Sequence, residues 1–261
     1  MWSSWLKRFE VRFINKKVFV TGASRGIGQG IAEAFRAEGA WVIGTRTGEQ
    51  CAPDEVCNEW FSADFTQLEQ IAACAEFVRK TSPDVLVNNA GINKNAPFVD
   101  IDPDMFRTIQ QVNVVAPFML CQAAIPSMKQ KGWGRIVNIS SIWGKISMAH
   151  RASYSASKFA LDGMTVALAA EHSIDGIIAN SIAPGFIDTD LTHHMLGDAG
   201  IKALVSKVPA NRLGQVSEIA RLVLWLASEE NTFIAGQNVA IDGGLHVSDD
   251  LIIPSHKGLM R

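Results

Sequence analysis

Tyrosine is nearly absent from this chain: 261 residues hold a single one, Tyr154. Cysteine is scarce as well. Cys51, Cys57, Cys74 and Cys121 include no C-x-x-C pair, so they read as free thiols in a reducing cytoplasm rather than a disulfide framework or a metal knot. An excess of one charge is missing, with 24 Lys and Arg against 26 Asp and Glu. No basic block stands out, and nucleic acid is excluded as an expected partner. No uninterrupted apolar run approaches about 18 residues, so no transmembrane segment is expected. The first residues lack the apolar core of a signal peptide. Internal repeats and low-complexity linkers are absent, which leaves one globular domain. A cytoplasmic enzyme-sized domain is the expectation.

What is present fits that reading. Hydrophobic residues make up 48% and charged residues 19%, enough for a large core. Short β-rich runs alternate with amphipathic helical stretches. The runs are Lys17 to Thr21, Trp41 to Thr45, Glu59 to Ser62, Val85 to Val87, Arg135 to Ile139, Ile177 to Ala183 and Asn238 to Ile241. That alternation predicts a doubly wound α/β fold: a seven-stranded parallel sheet, helices on both faces, and ligands beyond the strands' carboxyl ends. Pro103 to Lys131 reads as one long helix bent at Pro117 and Pro126. The domain is expected over residues 16–244, with an amphipathic extension at 1–15 and a tail at 245–261. The extension carries Trp2, Trp5, Leu6, Phe9 and Phe13 at helical spacing, and docking on protein is favoured over a membrane surface.

The first strand ends in Gly22-Ala23-Ser24-Arg25-Gly26-Ile27-Gly28, followed by a helix. A glycine turn between strand and helix presents backbone N–H groups to an anion. The spacing is G-x-x-x-G-x-G rather than the commoner G-x-G-x-x-G. The second strand ends in Thr45-Arg46-Thr47, with no acid to take a ribose 2′-hydroxyl. Arg46, with Arg25, suits a 2′-phosphate instead, though Arg46 in plain solvent fits the sequence too.

Tyr154 and Lys158 are four residues apart in a proline-free helical run from Arg151 to His172. They share a helix face. An ammonium beside a phenol lowers its pKa and readies it to exchange a proton with a carbonyl or an alcohol. Alone, the pair also fits chance spacing. His193-His194 are adjacent and cannot easily share one ion from a helix, so no metal site is expected.

The ordered set Thr21-Gly22-x-x-x-Gly26-Ile27-Gly28, Asn88-Asn89-Ala90-Gly91, Asn113, Ser141, Tyr154-x-x-x-Lys158 and Pro184-Gly185 resembles the short-chain dehydrogenase/reductase family over about residues 16 to 244. Within it the chain is most similar to the 3-oxoacyl-[acyl-carrier-protein] reductases. The resemblance implies a Rossmann-type domain and hydride transfer between a nicotinamide, here NADP(H), and a carbonyl or secondary alcohol. It implies that Tyr154 is the general acid/base and that Lys158 binds the nicotinamide ribose and depresses the Tyr154 pKa. Ser141 would bond the substrate oxygen, and Asn113 would hold a water on a path to Lys158. Ser141 is preferred to Ser140 on its spacing to Tyr154. The implied cofactor contacts are Gly22, Ser24, Arg25, Gly26, Ile27, Gly28, Thr45, Arg46, Asp64, Phe65, Asn89, Ala90, Gly91, Tyr154, Lys158, Pro184, Gly185, Ile187 and Thr189.

The resemblance also implies a homotetramer, with Val112, Val115, Met119, Phe159, Met164 and Leu168 as candidate interface residues. The substrate walls are expected from Asn93, Lys94 and Asn95, from Trp143, Lys145, Met148 and His150, and from a lid holding Phe186, His193, His194 and Met195. Two positions depart from the carrier-protein reductases: Asp175 and Gly132 stand where basic docking residues are expected. Lys94, Lys129, Lys131 and Lys145 are possible replacements. A thioester-linked 3-oxoacyl substrate stays slightly ahead of a free small ketone, polyol or sugar-derived carbonyl. A cofactor-sensing regulator on the same fold is the remaining alternative; such proteins typically lack the tyrosine or lysine. A scaffold role, suggested only by the amphipathic extension, is the last.

Overall fold

The computed structural model describes residues 11–49 and 52–248, apart from the side chain of Met195. Most of the amphipathic extension, Cys51 and most of the tail lie outside the described residues. Seven parallel strands form one sheet in the order β3-β2-β1-β4-β5-β6-β7. They are β1 Lys17–Val20, β2 Trp41–Arg46, β3 Glu59–Ser62, β4 Val85–Asn88, β5 Gly134–Ile139, β6 Ile177–Pro184 and β7 Asn238–Ile241. The helices are α1 Gly26–Ala37, α2 Leu68–Thr81, α3 Pro103–Gln110, α4 Ala116–Lys131, α5 Ala152–His172, α6 Asp190–Val205 and α7 Val216–Ala227. Strand order reverses between β1 and β4, which opens a crevice at their carboxyl ends.

Alternation within the strands sorts the core into two layers. Val18, Val20, Val42, Val85 and Val87 face the side covered by α1 and α7, where Ile31, Phe35, Ile219 and Val223 meet them. Phe19, Ile43, Leu86 and Ile136 face the other side, against Ile71, Val78, Leu120 and Met128. A strand's period of two makes this division. Residues before β1 join the first layer: Phe13 is buried and meets Phe35 edge-on at 4.8 Å. Cys57, Cys74 and Cys121 are buried.

The stretch from Pro103 to Lys131 carries a widened turn at Gln111–Val115 that joins α3 to α4 and holds Asn113, and Pro126 lies inside α4. Such turns insert a residue into the helical ladder. That 29-residue stretch is long and apolar enough to cross a membrane by length and composition only, a test that buried core helices also pass. Half of its most apolar window is buried inside the fold, against β4 and β5. The candidate interface residues divide too. Val112, Met119 and Leu168 pack into the subunit's own core. Val115 and Phe159 are exposed, as are Phe118 and Val166 on the outward faces of α4 and α5.

Candidate active site

The turn after β1 is braced from both sides. Gly22 N–H donates to Thr45 Oγ1 at 2.9 Å, and Asn89 Nδ2 donates to the carbonyls of Thr21 at 3.0 Å and Gly22 at 3.1 Å. Thr21 Oγ1 in return accepts the N–H groups of Asn89 and Ala90, both at 2.9 Å. The Thr45 hydroxyl and Asn89 amide, expected as cofactor contacts, are therefore engaged in holding the loop. Gly26 sits at φ +57°, and a Cβ on Gly28 would overlap the Gly22 carbonyl oxygen and Asn89 Nδ2. Only glycine fits both places. The first turn of α1 has no acid and no side-chain cap, so its N–H groups face outward.

A cleft of about 420 Å³ opens over this turn. Gly22, Ser24, Arg25, Gly26, Ile27, Gly28, Thr45, Arg46, Asp64, Phe65, Asn89, Ala90, Gly91 and Thr189 all line it. Thr47, Ile92, Asp190 and Leu191 line it as well and were not foreseen. Arg46 is half-buried, with its guanidinium 5.9 Å from the Trp60 ring. Asp64 Oδ1 accepts the Thr66 N–H at 2.9 Å. The glycine cradle and the open helix end fit the phosphates of a nucleotide.

Gly91 links the cleft to a second cluster: a Cβ there would lie 3.3 Å from Asn113 Oδ1 and 3.7 Å from Lys158 Nζ. Asn113 is buried, and its amide donates to the Ile92 carbonyl and to Ser157 Oγ, both at 2.9 Å. Its Oδ1 accepts the Ile92 N–H at 2.9 Å. Both amide hydrogens are used, so this side chain anchors the loop after β4. Lys158 is buried, and Nζ donates to the Ile139 carbonyl at 2.8 Å. Burial pulls its pKa down to about 8, with the Asp162 carboxylate pulling the other way.

Ser140 and Ser141 end β5 but do different things. Ser140 Oγ donates to Asp162 Oδ2 at 2.9 Å. Ser141 Oγ accepts the Trp143 N–H at 3.3 Å and lies close enough to the Tyr154 phenol to act on it. Burial pushes that phenol up to about 12, opposed by the Ser141 hydroxyl and by the charge of Arg151. The expectation that Lys158 would lower it is not met here, because its ammonium turns to the Ile139 carbonyl, 5.5 Å from the Tyr154 ring centre. The cation that acts on the phenol is Arg151, which sequence reasoning placed only at the helix start. Its position three residues before Tyr154 was the available signal.

Beyond β6, Pro184 is buried and Gly185 N–H bonds the Ile241 carbonyl at 3.0 Å. Ile187 is buried and pairs with Gly214, and Thr189 caps α6. The segment read as a lid is mostly α6, broken at Gly197. His193 Nε2 lies 2.6 Å from Asp188 Oδ1, which holds that carboxyl below its ordinary range. Among the described residues no three metal-ligating side chains gather. Trp143 and Phe186 meet edge-on at 6.3 Å beside Tyr154. Lys129 is paired with Asp175 at 3.0 Å and Lys131 with Asp84 at 2.7 Å, at the edge where β5 and β6 begin.

Comparison with known proteins agrees with this fold. The family model described as enoyl-(acyl carrier protein) reductase matches residues 22–246. The 3-oxoacyl-[acyl-carrier-protein] reductase FabG of Pseudomonas aeruginosa is 37% identical over 243 residues, 89% of this chain and 98% of that protein. A gluconate 5-dehydrogenase from Burkholderia cenocepacia, solved with NADP and tartrate, superposes with a TM-score of 0.82 at 29% identity, covering 92% of this chain and 98% of that one. A proposed NAD(P)-dependent gluconate 5-dehydrogenase from Beutenbergia cavernae, with bound NADP, gives 0.86 at 32% identity, covering 92% of this chain and all of the other.

Proposed function

The chain belongs to the short-chain dehydrogenase/reductase family and is an oxidoreductase, and from that premise we propose that it moves hydride between NADP(H) and a carbonyl or secondary alcohol, with Tyr154 as proton donor and acceptor. The observation that carries this reading is the meeting of Ser141, Tyr154 and Lys158 next to the cleft, with Lys158 Nζ 5.5 Å from the Tyr154 ring centre and beside Gly91. A bound nicotinamide supplies or takes the hydride. Ser141 and Tyr154 present two hydroxyls to the substrate oxygen, so the charge that grows there meets donors already in place. The Tyr154 proton moves to that oxygen in reduction and returns in oxidation. Lys158 holds positive charge near the ring and lets the phenol part with its proton once the ammonium is drawn toward it. Arg25 and Arg46 support NADP(H) over NAD(H).

The test is reduction of a panel of ketones with NADPH by wild type and Tyr154→Phe. Turnover falls by about 100-fold or more, with cofactor binding kept. Near-normal turnover in the variant sinks the assignment.

On substrate, likeness to the carrier-protein reductases supports a 3-oxoacyl thioester. A specific observation favours a free small carbonyl compound. Two lysines that could replace the missing basic collar, Lys129 and Lys131, are neutralised by Asp175 and Asp84, and an acidic carrier protein needs unpaired positive charge for steering. Relatives by structure that are gluconate dehydrogenases support the same reading. One 3-oxoacyl group presented on carrier protein and on a small thioester, across salt concentrations, separates the two. A gain from the carrier at low salt restores the thioester reading.

A further inference from the structure

Arg151 stands near Tyr154, and among the described residues no carboxylate pairs with it. It is half-buried directly before α5, three residues ahead of Tyr154. Its guanidinium carbon lies 5.4 Å from the centre of the Trp143 ring, on the wall after β5. Nη1 donates to Asn95 Oδ1 at 2.8 Å, on the opposite wall after β4. Asn95 Oδ1 is itself fixed by Asn93 Nδ2 at 3.1 Å. These contacts hold the guanidinium between the segment after β4 and the segment after β5. That is its one side-chain hydrogen bond among the described residues, and a guanidinium has five N–H donors. Among the same residues no carboxylate pairs with it, and burial outweighs every favourable charge around it. A partly desolvated cation without a counter-charge is costly. The preceding residue, His150, sits at φ +68°, a conformation that side-chain-bearing residues rarely adopt. Its carbonyl is tied to the Ala96 N–H at 3.3 Å. Strain of this kind persists where surrounding structure imposes it, and it clusters at ligand sites.

We propose that Arg151 binds a carboxylate of the substrate, so that this enzyme acts on a keto acid and its hydroxy-acid partner. The inference rests on the oxidoreductase reading above and names the substrate class for it. One guanidinium balances one negative charge, and its planar fork matches a carboxylate with two parallel hydrogen bonds. The Trp143 ring lies 5.4 Å from the guanidinium carbon, and the Asn95 bond helps set the fork's rotation. One helical turn separates Arg151 from Tyr154, roughly 5 Å along the axis. That spacing places the anion a few bonds from the carbon that changes oxidation state. The chemistry balances within the established exchange: two electrons and a proton pass between cofactor and carbonyl carbon, the phenol proton goes to the oxygen, and the carboxylate stays unchanged.

The experiment compares acetoacetate with methyl acetoacetate, and 4-oxopentanoate with its methyl ester, using NADPH. Wild type is expected to favour each acid over its ester in kcat/KM by about tenfold to a hundredfold, the worth of one charge-assisted contact. Arg151→Gln should bring that ratio to within about threefold of one, and Arg151→Lys should fall between. Asn95→Asp puts a carboxylate against the guanidinium and should collapse the ratio likewise, which keeps the test open if Arg151→Gln does not fold. An unchanged ratio in Arg151→Gln or Asn95→Asp, or a wild type that prefers the esters, overturns the proposal. Calorimetric binding of succinate to wild type and Arg151→Gln reads the anion site without turnover. Succinate binding that needs Arg151 but no reduction of any of the four compounds leaves the anion site standing and removes the oxidoreductase reading. Reduction of the esters with neither acid preference nor succinate binding does the reverse.

Discussion

Replacing Lys158 by Met should make the protein more stable near neutral pH while abolishing its activity. The ammonium is 3% exposed and is drawn from 10.5 down to about 8, mainly by burial. Below pH 8 the side chain is protonated in both the folded and the unfolded chain, so the fold carries the full cost of burying the charge. Between 8 and 10.5 the folded side chain gives up its proton while the unfolded one keeps it. The unfolded state then binds more protons, and stability rises with pH. Above 10.5 both forms are neutral and the cost has gone. The gap of about 2.5 pH units corresponds to about 3 kcal/mol. Methionine has similar length and no proton to lose, so the variant lacks this rise. It also leaves the Ile139 carbonyl without the bond from Nζ, an offset of about 1–3 kcal/mol against the variant. That offset does not depend on pH. The diagnostic quantity is therefore the stability of wild type minus that of Lys158→Met, from urea unfolding at one protein concentration between pH 7 and pH 10. It should climb by about 2 kcal/mol or more across that range. Tyr154 titrates in both proteins and cancels. A difference that stays flat to within about 0.5 kcal/mol refutes the buried-ammonium account.

Arg46→Asp should cost NADPH about tenfold to a hundredfold in kcat/KM and leave NADH little affected; equal values for the two cofactors in wild type contradict the 2′-phosphate reading. Ser141→Ala should lower kcat by on the order of tenfold to a hundredfold at unchanged stability. Ser140→Ala should instead leave turnover per folded molecule intact and cost about 1–3 kcal/mol, because half-buried Asp162 loses a donor; the reverse pattern in kinetics and urea unfolding would exchange the two serines' roles. A homotetramer closed over the exposed rings of Phe118 and Phe159 should sediment as a tetramer in wild type and as smaller species in Phe118→Arg/Phe159→Arg; an active wild-type monomer counts against it.

Local chemistry was the legible part of this sequence. The glycine turn works through neighbours a few residues apart, and so does the Tyr154–Lys158 spacing, so both could be read before any fold was known. The two-layer sheet followed from alternation, because each strand's period assigns its own faces. Contacts between distant segments were not legible. Thr45 and Asn89 look like ligands in a linear reading, yet each braces the Gly22 turn across 23 and 67 residues of chain. Asn113 carries a functional expectation, but its widened turn and its bonds to Ile92 and Ser157 depend on where α3 meets α5. The direction of the Lys158 ammonium depends on a carbonyl nineteen residues upstream. Arg151 is distinguished only by its half-burial beside Trp143 and by the lack of a paired acid among the described residues, neither of which a linear reading shows.

The brace between Thr21, Gly22 and Asn89 has a consequence for assembly of the chain. Its two halves are nearly seventy residues apart, so the phosphate cradle does not exist until β1 and β4 have found each other. Parallel pairing of that kind closes a long loop before any contact rewards it, and it comes late and slowly in folding. A nucleotide can therefore recognise only chains that have completed this step. Cofactor supply then acts as a folding ligand: at a hundred times its Kd it deepens the native well by about 2.7 kcal/mol. The midpoint of thermal unfolding should move with cofactor concentration, and a chain starved of cofactor spends more of its time open to proteolysis.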